Sequence, residues 1–74
     1  MKIDLIVKYQ CGCTETVRTD ANLPANLAYA ERTTETDRRI IDYITANYAV
    51  ENWHCSKKHP LGWMTGFDKI VEIL

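Results

Sequence analysis

Two short stretches restrict this chain more than any other part of it: Cys11-Gly12-Cys13, and Cys55 with His59 four residues later. The first is a pair of thiols one residue apart, and the second is a thiol and an imidazole on one short loop. Three sulfurs and one ring nitrogen are the donor set of a closed tetrahedral zinc site. Each pair is close in sequence, so half of the site assembles at little entropic cost. The pairs are far apart from each other, so an ion shared between them would clamp the start of the chain to its last third.

Such a clamp matters because the chain has only 74 residues. Surface scaling suggests ~7,500 Å² buried on folding, ~60% of it apolar, which stabilises by about 110 kcal/mol. Ordering the chain costs about the same at ~1.5 kcal/mol per residue. A single domain over residues 1–74 is therefore expected to rely on a staple or a partner. Structural zinc contributes on the order of 10 kcal/mol or more to folding, enough to decide the balance.

The alternative for the thiols is ordinary free cysteine in a small core. Three cysteines is too few, and an odd number, for a secreted disulfide scaffold. A bridge within Cys-Gly-Cys strains disulfide geometry. Redox catalysis there lacks a neighbouring thioredoxin-like βαβ pattern. His54, beside Cys55, competes with His59 for the fourth position. The neighbouring pair His54-Cys55 must bend sharply to aim both donors at one ion, so His59 is preferred. The predicted ligand set is Cys11, Cys13, Cys55 and His59 around a structural Zn2+. No carboxylate motif suggests an open, catalytic metal.

The flanking sequence predicts how the ligands are carried. Ile3, Leu5, Val7 and Tyr9 alternate with polar residues, the period of a half-buried strand, with Ile6 breaking the pattern. Thr14 to Thr19 is rich in β-branched residues and reads as a second strand. A hairpin loop over Cys11–Cys13 with Gly12 in its middle would set Gln10 against Thr14 and Val7 against Val17. Asp20 to Thr33 has two readings: a short helical turn capped by Asn22 with Pro24 in its first turn, or a surface loop.

Thr34 and Asp37 resemble a capping box, and Ile40, Ile41, Ile44 and Tyr48 share one helical face. Together they predict an amphipathic helix from Glu35 to about Tyr48, ended by Asn47 or Asn52 in a left-handed conformation. Pro60 and Gly62 break regular structure between Trp53 and Trp63. Ile70, Val71, Ile73 and Leu74 form a near-continuous apolar run, which suits a third strand, Phe67–Leu74, buried on both faces and central in the sheet. The predicted fold is α+β, ordered β-β-α-β, with an antiparallel-based sheet under one helix.

Function is less constrained. The net charge is −1, with 9 basic and 10 acidic residues, so no global attraction to nucleic acid or anionic membrane exists. No glycine-rich phosphate loop, nucleophile elbow or paired carboxylates appear. No catalysis and no small-molecule substrate are expected. The amino end lacks a signal-peptide pattern and no apolar run approaches a membrane span, so a reducing, cytoplasmic setting is expected. The first reading is a zinc-stapled protein-interaction module, an adaptor or inhibitor, with homodimerisation as one mode. Tyr43 and Ile6 are candidate contact residues. The second is a nucleic-acid-binding regulator using Lys57, Lys58, Arg38 and Arg39, which requires those four on one face. Pairing of Arg38 with Asp42 and of Arg39 with Glu35 would make the arginines ordinary surface charges.

Overall fold

A computed structural model describes residues 1–74. The elements follow the order β1 (Lys2–Tyr9), β2 (Thr14–Asp20), α1 (Ala25–Ala28), α2 (Thr34–Asn47), a 3-10 turn (Val50–Asn52) and β3 (Met64–Ile73). The three strands form one antiparallel sheet in the order β2-β1-β3. The α+β class and the β-β-α-β order follow from the sequence patterns above.

β1 is central, and its alternation is the axis of the core. Ile3, Leu5 and Val7 are fully buried and Tyr9 nearly so. Ile40 and Ile44 of α2 and Ile70 of β3 complete the same cluster. Ile41 and Tyr48 pack against its margin. Ile6, on the outer face, remains half-buried.

The β1–β2 hairpin corrects the expected register by two residues. Leu5, not Val7, stands opposite Val17, and Lys8, not Gln10, opposite Thr14. The loop is three residues long, as expected, but spans Gln10–Gly12. Gly12 N–H donates to the Tyr9 carbonyl at 3.0 Å, Tyr9 N–H donates to the Cys13 carbonyl at 3.0 Å, and Gly12 has φ 92°. This is a type I turn closed by a left-handed residue, and that residue comes last in the loop. Glycine takes the position without a Cβ clash, so the position of Gly12 sets the register.

β3 corrects a second expectation. It is an edge strand, not the central one, and it starts at Met64 rather than Phe67. Three register shifts interrupt its pairing with β1. Met64, Phe67, Ile70 and Ile73 stand opposite Tyr9, Val7, Leu5 and Ile3. Apolar residues three apart cannot share a face of a regular strand, whose period is two. Each shift adds one residue and turns the next apolar side chain inward. Val71 is one of the extra residues and is 49% exposed, which explains why the run is not buried on both faces.

α2 starts one residue earlier than expected, and Thr33 is its N-cap. Thr33 N–H donates to Thr36 Oγ1 at 2.7 Å and Thr36 N–H to Thr33 Oγ1 at 3.2 Å. The reciprocal pair is thus Thr33–Thr36, not Thr34–Asp37. Asp37 instead holds Arg32 through two bonds of 2.8 and 2.9 Å. At the other end Tyr48 is extended, with φ −127° and ψ 144°, and no left-handed asparagine closes the helix. The Tyr48 hydroxyl accepts the Asn22 N–H at 2.8 Å. Asn22 therefore caps nothing; Pro24 holds the N-cap of α1 without a side-chain bond. Arg39 pairs with Glu35 at 2.8 Å as expected, whereas Arg38 has no ion pair with Asp42. No helix is long and apolar enough to cross a membrane.

Candidate metal centre

Antiparallel pairing of β1 with β3 brings the two ligand stretches together. It sets the end of β1 beside the start of β3, with Tyr9 opposite Met64. Gln10 N–H extends the ladder to the Trp63 carbonyl at 2.8 Å. Cys11 and Cys13 follow β1 directly, and the Cys55–His59 stretch precedes β3. The sheet therefore delivers all four side chains to one end of the molecule, over a sequence separation of more than forty residues.

The second ligand stretch is a small hairpin. Met64 N–H donates to the Trp53 carbonyl at 2.9 Å and Cys55 N–H to the Gly62 carbonyl at 2.8 Å. Two turns fill the loop between Cys55 and Gly62. In the first, Lys58 N–H donates to the Cys55 carbonyl at 3.0 Å; in the second, Gly62 N–H donates to the His59 carbonyl at 3.1 Å. Pro60 presets the second position of the second turn. Lys58 and Leu61 take left-handed φ values of 56° and 54°, an uncommon state for residues with a Cβ. Gly62 is required for a different reason. A Cβ there would lie 2.8 Å from both Cys55 Sγ and His54 Cε1, and 2.9 Å from the His59 carbonyl oxygen.

The donor atoms of Cys11, Cys13, Cys55 and His59 all lie within 4.8 Å of one another. Cys11 Sγ is 3.6 Å from Cys55 Sγ, and Cys13 Sγ is 3.3 Å from His59 Nδ1. Around a tetrahedral ion with zinc-like bond lengths, two sulfurs stand ~3.8 Å apart and a sulfur and a ring nitrogen ~3.5 Å apart. The cluster thus has the dimensions of a four-coordinate metal site. Its sulfurs are far beyond bonding distance for a disulfide, and all three cysteines are free thiols. These four residues lie close enough to bind a metal ion.

His54 is placed elsewhere. Its Nδ1 lies 3.0 Å from the Cys55 carbonyl oxygen, and its ring meets Trp63 edge-on, with centroids 4.9 Å apart. Cys55 is buried and belongs to the hydrophobic core, so the cluster grows out of the core at this point. Trp53 packs beside it and meets Phe67 edge-on at 5.8 Å, whereas Trp63 is half exposed.

Electrostatics prepare the thiols unequally. The Cys13 backbone amide, helped by His59 and the other two thiols, holds the Cys11 thiol down at about 6. Cys13 moves up from the ordinary thiol value because its hydrogen bond to Cys11, then burial and the neighbouring negative charge, favour its protonated form. Of the two, Cys11 is thus the readier to ionise near neutral pH and Cys13 the less ready. Because the folded value for Cys11 is depressed, its contribution is present above 9.0 and is lost as pH falls through about 6. Apparent metal affinity is expected to rise with pH across neutrality and to fall steeply below about pH 6. Calorimetry in buffers of different ionisation enthalpy reads the released protons, and an affinity unchanged between about pH 5 and 8 contradicts this assignment.

Sequence reasoning missed Glu15. From β2, its carboxylate accepts the Ser56 N–H at 3.1 Å and also the Ser56 hydroxyl. The Ser56 hydroxyl, with its N–H, the Tyr9 phenol and Lys57, holds the Glu15 carboxyl below the usual range, against a smaller opposing effect of burial. Glu15 lies two residues past Cys13, and Ser56 one past Cys55, so this contact ties the ligand loops together without metal. Partners one step outside a metal site typically change affinity by ~10–100-fold. Glu15→Ala is expected to fall in that range, and Glu15→Gln to fall less. Competition against a chromophoric chelator measures both; equal affinity for Glu15→Ala and wild type removes the role. No signal in the sequence marked Glu15 or Ser56, because they meet only across the folded chain.

No protein-family model, no curated protein and no solved structure matches this chain.

Proposed function

We propose that this is a small structural-zinc domain that acts as a protein-interaction module, an adaptor or inhibitor of a larger protein, without catalytic activity of its own. The observation that carries the metal part is the convergence of three thiols and one imidazole at tetrahedral spacing. Zinc fits because thiolate-rich sites of four protein donors suit its preference, and four donors leave no open position for substrate.

The interaction part is supported by surface that the fold leaves open. Both β2 and β3 are edge strands. A groove of about 430 Å³ runs between α2 and β3, lined by Ile41, Phe67 and Ile70 with Arg38, Asp68 and Lys69 at its rim. Grooves beside an open sheet edge are common sites for peptide recognition.

The nucleic-acid reading needs Lys57, Lys58, Arg38 and Arg39 on one face. Lys57 acts on Glu15 of β2, and Arg38 borders Phe67–Ile70 of β3, with β1 between these strands. Arg39 is already paired with Glu35. These positions favour the interaction module.

Native mass spectrometry with and without chelator tests the metal part, with one zinc ion per chain expected. Affinity capture with zinc-loaded and zinc-stripped protein tests the rest, with a partner protein retained only by the loaded form. Capture of nucleic acid instead, removed by nuclease treatment, overturns the interaction reading.

A further inference from the structure

The two edges of the sheet are built differently. β3 carries three register shifts along its length, a recognised way to stop a strand edge from pairing with another chain. β2 has none. Its seven residues, Thr14 to Asp20, pair with β1 without a register break. It contains no proline and no lysine, and three of its residues are threonine and one valine.

The phase of the ladder shows which groups are free. Ala21 N–H donates to the Met1 carbonyl at 2.9 Å and Tyr9 N–H to the Cys13 carbonyl at 3.0 Å. Odd-numbered residues of β2 therefore turn their backbone groups toward β1, and even-numbered ones turn theirs outward. Thr14, Thr16, Arg18 and Asp20 make no backbone hydrogen bond to any turn or loop. Their side chains are exposed on the outer face. The two charges among them are neutralised within the chain: Arg18 by Asp4 at 2.8 and 3.1 Å, and Asp20 by the amino terminus at 2.8 Å.

We propose that the free edge of β2 is a self-association surface, where β2 pairs antiparallel with β2 of a second copy to make a continuous six-stranded sheet. This rests on the reading of the domain as an interaction module and names its surface. A second copy suits the edge because the strand complements itself. A two-fold axis at Val17 aligns all seven residues, setting Thr16 against Arg18 of the other copy, Thr14 against Asp20, and Glu15 against Thr19. No like charges stand directly opposite, the arrangement that destabilises strand pairs. The outward groups of the four even-numbered residues would then form about eight new hydrogen bonds. An interface of one strand pair is small, so association is expected to be weak and concentration-dependent.

Sedimentation of the zinc-loaded protein from ~10 µM to ~1 mM tests this. The expected result is a mass rising toward twice the monomer, with amide exchange at Thr14, Thr16 and Arg18 slowing in parallel. Thr16→Pro removes one outward N–H that the monomer does not use, so it is expected to abolish association at unchanged zinc content. If that variant melts early, Thr16→Lys keeps the N–H, adds charge to the edge, and is expected to weaken association at least ~10-fold. A monomer at ~1 mM, undiminished association in Thr16→Lys, or protection on β3 instead of β2 each overturns self-pairing. Binding of a foreign strand peptide by a protein that stays monomeric does so too, though it would support the interaction module. Zinc content, read on the same samples, reports separately on the metal site.

Discussion

Excess chelator is expected to unfold this domain. A chain of this size has a net stability of about 4–11 kcal/mol, at ~0.05–0.15 kcal/mol per residue. A structural zinc site of this donor type contributes on the order of 10 kcal/mol or more, comparable to or larger than the whole. Loss of the ion also leaves three sulfur side chains and an imidazole crowded at the end of the core. Far-ultraviolet circular dichroism should lose its helix and sheet signal on chelation and regain it when zinc is restored. Cys13→Ser separates the ligand role from packing, because Cys13 is only half-buried, whereas Cys55 belongs to the core. It should lower zinc affinity by more than the ~10–100-fold typical of groups beyond the ligand shell. A melting curve indifferent to chelator would refute the staple, whatever the positions of the thiols.

The second large effect is expected from adding one methyl group at Gly62. Its new Cβ would lie within 2.8–2.9 Å of Cys55 Sγ, His54 Cε1 and the His59 carbonyl oxygen. The carbonyl cannot withdraw freely, since it accepts the Gly62 N–H that closes the turn. Cys55 is buried and cannot rotate away without leaving the cluster. Overpacking of this kind costs ~1–3 kcal/mol, and here it also moves a side chain of the candidate metal cluster. Gly62→Ala should therefore lower both the melting temperature and zinc affinity. Gly66→Ala is the control: its added Cβ meets nothing within 4 Å, so it should change stability by no more than ~0.5 kcal/mol. If thermal melts rank the two variants equally, the close approach at Gly62 is not a constraint on the site.

How much of this could be read from the residues depended on the range of the interaction involved. Local periodicity identified β1 and α2, because alternation and the 3.6-residue repeat are properties of neighbouring residues. Cys-Gly-Cys and Cys-x3-His were visible for the same reason. The capping threonine was missed by one position, since Thr33 and Thr34 offer the same side chain to the helix end. The hairpin register was missed because Gly12 was placed at the loop's centre, whereas its left-handed backbone belongs at the loop's last position.

The errors in β3 have a single origin. Met64, Phe67, Ile70 and Ile73 recur every three residues, a spacing with no meaning in a regular strand. It acquires one only when β1 is present to shift register against it. The same is true of Glu15 and Ser56, which are forty-one residues apart and have no motif around either. The choice of His59 over His54 rested on loop geometry, and the folded loop turns His54 toward Trp63 while His59 reaches Cys13.

The residues by themselves singled out the four side chains that cluster in the fold, the amphipathic helix and the alternating strand β1, because each is marked by a pattern within a few positions of the chain. Tertiary structure alone decided which strand lies at the edge, how β3 meets the core and what ties the ligand loops together. Those features depend on pairing between segments that meet only after loop closure, and the sequence of one segment carries no record of its partner's phase.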